Sequence, residues 1–347
     1  METESGKKPL LGMTLEELQE TVAKMEMPRF TAAQIAKWIY EKRVTGIESM
    51  TNLSKANREK LSRHYTVGRK SPAGEARSKD GTVKYLFEVS GGKMVESVYI
   101  PDNGRDSERA TLCVSSQAGC KMGCRFCMTG KQGFHGNLTA NEIINQIFSI
   151  PESEKLTNIV YMGMGEPTDN LDEVLRTIAI MTEKWGLAWS PKRITVSSIG
   201  TMEGLKTLVE STHVHIAVSV HSPFHEERKE LMPIEAAFPV RKIIGMLRNY
   251  DFAHQRRLSV EYIMWRNLND DDNHAEALAE LLQGTSARVN LIRFHAIPGI
   301  DLRTSDERRM TAFRDYLNSK GVLCTIRRSR GEDIMAACGM LAGKKLK

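Results

Sequence analysis

Four of the six cysteines in this chain of 347 residues fall inside one stretch, ATLCVSSQAGCKMGCRFCMTGKQGF, residues 110 to 134. Cys120, Cys124 and Cys127 stand as CxxxCxxC, close enough for one loop to offer three thiolates to a single inorganic centre. Three ligands leave that centre open on one side. A structural zinc site wants four closed ligands, and Cys113 or His135 would have to supply the fourth; the paired CxxC spacing usual for zinc has no second pair here. The other candidate is a four-iron cluster with one iron left free for a substrate or cosubstrate. Ferredoxin-type runs use four cysteines per cluster, so an open iron points to reaction rather than electron storage.

The elements that must carry this loop are legible from period and punctuation. Leu15, Leu18, Val22 and Met25 recur at helical spacing behind a capping box of Thr14 and Glu17. A second box, Thr31 with Gln34, predicts a helix carrying Ile35, Trp38 and Ile39, and Ser54 is the expected cap of a third. Residues 83 to 100 change period to two, and VKYLFEV, SGG, KMVESVYI reads as a β-hairpin turning at Ser90, Gly91 and Gly92. Glu96 shares a face of that hairpin with Met94, Val98 and Ile100. A carboxylate in an apolar row is either a surface position at the sheet edge or a candidate general base.

From residue 110 onward strand candidates (ATLCVSSQ, NIVYM, RITVSS, HIAVSVHS, RLSVEYIM, RVNLIRFH and VLCTIRR) alternate with amphipathic or capped helical stretches such as NHAEALAELL and DERRMTAFRDYL. The pattern predicts an α/β fold, a partial (β/α)6 barrel with one final strand. A small all-α domain over residues 1–65 and a β-hairpin linker over 66–109 are expected to precede a barrel over 110–347. In a parallel barrel the loops after the strand C-termini carry the site. CxxxCxxC follows the first strand, GMGEP the second, SSIG the third, SVHSP the fourth, HAIPG the sixth and RGEDIMAACG the last.

Composition narrows the partners. The N-terminus, METESGKKPLLGM, has no long apolar region before a small-residue cleavage site, which predicts a cytoplasmic chain with reduced thiols. No apolar run approaches the roughly 20 residues of a membrane span. The net charge of +6, from 49 Lys+Arg against 43 Asp+Glu, fits a nucleic-acid partner without demanding one. Basic clusters lie at Arg327, Arg328 and Arg330, at Lys344, Lys345 and Lys347, and along Lys55, Arg58, Lys60 and Arg63, the last series expected on the exposed side of the third helix. Most such runs are solvated faces.

CxxxCxxC with Phe126 before the last cysteine resembles the cluster motif of the radical S-adenosylmethionine enzymes, and GMGEP resembles their methionine-binding loop. TLCVSSQ, CMTGKQGF, YMGMGEP, HSPFHEERKELMP, VNLIRFHAIPG and the late RGEDIMAACGML are similar, in order and over nearly the whole chain, to the RlmN/Cfr family of RNA adenine methyltransferases. The resemblance implies a [4Fe-4S] cluster on Cys120, Cys124 and Cys127. It also implies S-adenosylmethionine, two molecules per turnover, contacted by Gly165, Glu166, Ser197, Ser219, Val220 and His221. His295 stands at a further contact where the family usually has Asn.

The same resemblance implies roles for the thiols outside the cluster. Cys338 takes a methyl group, carries it to an adenine carbon and is released by Cys113, which forms a transient disulfide with it; Glu96 matches the proton acceptor. Cys324, alternating with apolar positions, reads as a buried small hydrophobe. The adenine carbon C2 is an amidine carbon without a useful acidic proton, so ordinary polar methylation is closed to it. CMTGKQGF and GMGEP follow the C2 pattern, whereas HSPFHEERKELMP and LIRF lean toward the Cfr-type C8 pattern. The first pair sits beside cluster and cosubstrate, so C2 is expected and C8 is the alternative. The implied substrates are an adenosine of 23S rRNA near the peptidyl-transferase centre and the anticodon-adjacent adenosine of tRNA. Flavodoxin or ferredoxin is the implied electron donor to a monomer, and the helical domain is the expected RNA clamp. The reading from another class is a zinc-stabilised, non-catalytic RNA-binding protein.

Overall fold

The computed structural model describes residues 6–101, 109–254 and 256–343. The basic tail Lys344, Lys345 and Lys347 lies outside the described residues. One ten-stranded sheet organises the chain. Its strands are β1 (Gly74–Arg77), β2 (Val83–Val89), β3 (Lys93–Pro101), β4 (Ala110–Cys113), β5 (Asn158–Tyr161), β6 (Ile194–Ser198), β7 (His215–Ser219), β8 (Leu258–Met264), β9 (Arg288–Arg293) and β10 (Cys324–Ile326). Spatial order follows chain order from end to end, and β1 and β10 are its edges. Strands β1 to β4 are joined antiparallel, whereas β4 to β10 run parallel.

The parallel strands need crossovers, and helices supply them: after the single turn α4 (Met128–Lys131) come α5 (Ala140–Phe148), α6 (Leu171–Thr182), α7 (Met202–Ser211), α8 (His225–Leu231) with α9 (Val240–Leu247), α10 (Asp272–Leu282) and α11 (Glu307–Ser319). Thr139 and Glu142 close a capping box on α5, and the Asp271 and Asp306 side chains cap α10 and α11. The expected six βα units and final strand are all present, as a partial barrel. Along these strands the helix-facing residues are apolar and fully buried, such as Ile194 and Val196 on β6 or Ile216 and Val218 on β7. The other face carries Thr195, Ser197, Ser219, Glu261 and Asn290. A parallel sheet packed on both faces would read as unbroken apolar runs. The alternation here shows that the inner face lines a polar interior.

At the N-terminus α1 (Leu15–Lys24) carries the expected Thr14–Glu17 box, and Ser54 caps α3 (Lys55–His64) through the Asn57 amide at 3.2 Å. The second box does not form. A turn over Pro28 to Thr31 has already begun to wind, Phe30 is helical, and no side chain caps α2 (Thr31–Ala36). The basic series on α3 is also not one free face. Arg58 donates to the Met50 carbonyl at 3.5 Å and Lys60 to the Met25 carbonyl at 2.5 Å, leaving Lys55 and Arg63 exposed. Leu18, Val22, Ile35 and Leu61 from these helices join the same apolar core as Ile143 and Ile147 of α5. No helix among the described residues is long and apolar enough to cross a membrane.

The hairpin turns over Ser90 to Gly92 as its sequence predicts, with Gly91 and Gly92 at φ of 72° and 68°. Its register pairs Lys84 with Val98 and Val98 with Cys113. Glu96, two residues before Val98, therefore shares a face with both Lys84 and Cys113.

Candidate active site

The loop after β4 carries the three thiols. Its shape is held by backbone bonds from the Cys120 amide to the Gly133 carbonyl (2.9 Å), from Cys127 to Cys124 (3.1 Å) and from Met128 to Gly339 (2.8 Å). Gly119 and Gly123 supply its left-handed turns at φ of 72° and 64°. Cys120, Cys124 and Cys127 line one cavity with Gly165, Glu166, Ser197, Ser219, His221 and Cys338. Burial pushes the Cys120 thiol up to about 12 and the Cys124 thiol well above its usual range, and the neighbouring thiols push in the same direction. Two thiols so raised become thiolates only beside a positive centre, which stabilises both at once. No three His, Cys, Asp or Glu side chains among the described residues converge on a single metal ion. Of the two candidate fourth zinc ligands, His135 is exposed on a short outer strand and Cys113 is not in the cavity wall.

The loop after β5 closes another side. A Cβ at Gly163 would meet the Val114 carbonyl oxygen at 2.6 Å, and one at Gly165 would meet the Gln117 Cβ at 2.5 Å. With Gly165 at φ 98°, only glycine lets this loop lie so close to the end of β4. The Glu166 amide donates to Gln117 Oε1 at 2.8 Å. Its buried carboxylate accepts from Thr168 Oγ1 at 2.6 Å and from the Ile199 amide at 3.0 Å. Glu166 thus ties the loop after β5 to the loop after β6.

His221 sits in the left-handed region, φ 60°, with its carbonyl held by Asn269 Nδ2 and its Nδ1 accepting the Ile263 amide at 3.0 Å. The imidazole is therefore an Nε2–H tautomer. Its ring meets Phe126 edge-on at 4.8 Å, and both pack against Trp265 beneath the cysteine loop. The fully buried Arg228 fixes the same corner. It pairs with Glu235 and donates to the Val220, Ser219 and Ile199 carbonyls at 2.9 to 3.0 Å.

Cys338 reaches the cavity from the segment after β10 and is accessible there. Cys113 lies buried behind it at the end of β4, its thiol pushed up to about 12 by burial and by Cys338. Arg327 lies near both thiols, and its guanidinium is held by Glu261 at 3.3 Å. Glu96 is outside the cavity wall. Rather than standing alone in an apolar row, its carboxylate is paired with Lys84 at 3.1 Å, both side chains under a tenth exposed. Its other oxygen accepts the Ala342 and Gly343 amides at 2.7 and 3.2 Å, and Lys84 also donates to the Met335 carbonyl at 3.3 Å. One buried ion pair therefore clamps both ends of the segment that carries Cys338.

The chain matches the sequence model of the Radical SAM superfamily over residues 114–279 and that of the Ribosomal RNA large subunit methyltransferase N-terminal domain over residues 8–67. It is 58% identical to the "Probable dual-specificity RNA methyltransferase RlmN" of Parabacteroides distasonis, the alignment covering 98% of each chain. The RlmN of Nitratiruptor sp. is 42% identical over 97% of this chain and 98% of that one. The chain belongs to the RlmN family. A crystal structure of a radical SAM methyltransferase from Sphaerobacter thermophilus superposes with a TM-score of 0.89 at 36% identity, covering 97% of this chain and 100% of that one. Membership of the radical SAM superfamily implies a four-iron cluster and S-adenosylmethionine, and the three thiols, Cys124 buried and Cys120 and Cys127 half-buried, beside a glycine cradle fit both.

Not every residue carried over from the RlmN/Cfr resemblance meets in the cavity of this RlmN-family chain. Val220 is fully buried in the core and does not line the cavity, its amide bound to the Glu261 carbonyl and its own carbonyl to Arg228, and His295 lies apart with Nδ1 at 3.3 Å from Glu332. Gln117, Glu261 and Arg327 escaped sequence reasoning. Glu261 had a signal: on β8 it falls in the inward series with Ser259 and Ile263. His221 makes a pH prediction. Burial and the nearby Arg228 lower it to about 3, whereas an unfolded chain takes up that proton below about 6.5. Between those values the unfolded state binds more protons, so stability rises with pH and is lost as pH falls from about 6.5 toward 3. Urea midpoints at pH 7 and pH 4 should differ less in His221→Asn, whose side chain tolerates the left-handed backbone; an unchanged difference would clear His221 of this role.

Proposed function

We propose that this RlmN-family chain is an RNA methyltransferase that places a methyl group on C2 of an adenosine, in 23S rRNA and in tRNA. The observation that carries the reading is the approach of Cys338 to the same cavity as the three cluster cysteines, with the buried Cys113 near enough for Cys338 to raise its thiol. Cys120, Cys124 and Cys127 would hold the cluster, and the loops bearing Gly165, Glu166, Ser197, Ser219 and His221 would hold the cosubstrate. When bound, the pair supplies a transferable methyl group and a hydrogen-abstracting radical. The protein's own groups do the rest. Cys338 takes the methyl on sulfur and presents it to the ring carbon as a covalent carrier. Glu96 leaves its clamp to accept the ring proton, and Cys113 attacks the Cys338 sulfur. The carbon–sulfur bond breaks, the RNA leaves methylated, and a Cys113–Cys338 disulfide remains for reduction.

The target adenine must be splayed out of its stack to reach the barrel mouth, which suits an RNA clamp built from the N-terminal helices. The chain acts as a monomer supplied by a low-potential donor such as flavodoxin or ferredoxin. The test is anaerobic reconstitution with iron and sulfide, then turnover with trideuteromethyl S-adenosylmethionine, reductant and a 23S rRNA fragment or tRNA. Two deuteriums retained on a methyl at C2 is the expected result. Label at C8 would make the chain a Cfr-type enzyme. An intact trideuteromethyl group would mean direct polar transfer and would remove Cys338 from the chemistry.

A further inference from the structure

The barrel has a second mouth, at the N-terminal ends of the parallel strands. There a cavity of about 600 Å³ opens below the site already described, lined by Asn158, Thr195, His215, Arg257, Arg288 and Lys192, with Arg109 at its rim. His215 and Ser219 stand at opposite ends of β7, so the floor of this cavity lies about 13 Å below the cosubstrate loops.

The chemistry of the lining is one-sided. Lys192, Arg257 and Arg288 are exposed, and among the described residues none of the three lies within 4.0 Å of a carboxylate. No Asp or Glu lines the cavity. His215 is held in one tautomer: its Nδ1 accepts the Arg257 amide at 2.9 Å, so the proton sits on Nε2 as a donor. Burial, followed by the fields of Arg257, Lys192, Arg109 and Arg288, drives the His215 imidazole down to about 4. The ring is thus a neutral donor inside a positive field. Guanidinium forks, an ammonium, a fixed N–H and the Thr195 hydroxyl around a concave floor match tetrahedral phosphate oxygens, which accept from all of them.

We infer that this mouth is a phosphate site, occupied by the backbone of the RNA substrate at a point remote from the reacting adenine. The choice of RNA as the phosphate source rests on the RNA-methylating reading above. Lys192, Arg257 and Arg288, with no carboxylate within 4.0 Å among the described residues, repel one another, and a polyanion replaces that repulsion with attraction while releasing its own counterions. It also adds cationic contacts to those of Lys55 and Arg63 on α3, where Arg58 and Lys60 are bound to backbone carbonyls.

The experiment compares the reconstituted wild-type protein with Lys192→Ala/Arg257→Ala/Arg288→Ala, whose altered side chains are exposed and outside the active-site cavity. RNA binding is measured against salt from about 50 to 200 mM, the range in which phosphate contacts dominate. The triple variant should lose about 2 to 3 from the log–log salt slope, because each phosphate contact contributes roughly 0.7 to 0.9. Its KM for RNA should rise on the order of tenfold while methylation at saturating RNA is unchanged. In parallel, sodium tripolyphosphate should shift the His215 ring proton in the NMR spectrum of the wild-type protein and not of the variant. A tripolyphosphate shift with an unchanged RNA slope would overturn the RNA assignment in favour of a free polyphosphate. Absence of both effects would overturn the site itself. A changed slope in a protein that proves unable to methylate RNA would uphold this contact while removing the functional reading.

Discussion

The Cys113→Ala protein should remain joined to its RNA through Cys338, and release of free methylated product should fall on the order of 10³-fold or more, the scale of loss when one member of a concerted nucleophilic group is removed. On the proposed mechanism Cys113 resolves that adduct, and its surroundings support the role. It is buried, it is close enough to Cys338 for that thiol to raise it further, and Arg327 stands near both. Burial keeps Cys113 as a thiol in the resting site, so it must lose its proton before its sulfur attacks, a loss that the nearby Arg327 guanidinium favours. The adduct is read as an RNA-shifted band on a denaturing gel. Cys113→Ala/Cys338→Ala should lose that band, and Cys324→Ala, whose thiol is buried in β10 away from the cavity, should not form it. Free product at wild-type yield from Cys113→Ala would sink the resolving role.

The second large effect is on stability. Lys84→Met should cost about 3–5 kcal/mol, because it leaves the Glu96 carboxylate buried without its cation. Lys84→Met/Glu96→Leu should recover most of that loss, since two apolar side chains of similar volume replace a pair whose desolvation nearly cancels its attraction. Urea unfolding of the single and double variants measures both. The clamp adds a local readout: Lys84 holds the Met335 carbonyl, and Glu96 the Ala342 and Gly343 amides. Limited proteolysis should cut after residue 335 faster in either variant than in the wild type. A cost below about 1 kcal/mol for Lys84→Met would show that the pair is hydrated and the clamp weak.

That clamp ties the proposed base to the proposed methyl carrier. For Glu96 to accept a ring proton it must release the Ala342 and Gly343 amides, which frees the chain just beyond Cys338. Once protonated, Glu96 has lost its attraction for Lys84. Proton removal from the RNA and loosening of the Cys338 segment are then one event, arriving as Cys113 needs access to the Cys338 sulfur.

The sequence alone determined the parts that depend on local spacing. Period and punctuation located the hairpin turn at Ser90 to Gly92, the Thr14–Glu17 cap and all seven parallel strands, because alternation, turn residues and caps act over a few neighbouring positions. CxxxCxxC and GMGEP announced their loops for the same reason, one constrained by what three thiols can reach and the other by a backbone that admits no Cβ. Tertiary structure alone decided which groups stand opposite one another. The Lys84–Glu96 pair joins diagonal positions of two strands, and its hold on residues 335, 342 and 343 spans some 250 residues of sequence. The basic run on α3 was bound up by carbonyls from outside that helix, whereas Lys192, Arg257 and Arg288, unremarkable in three separate loops and strands, converged on one mouth. Charges act through space, so their partners follow from the path of the whole chain rather than from the residues beside them.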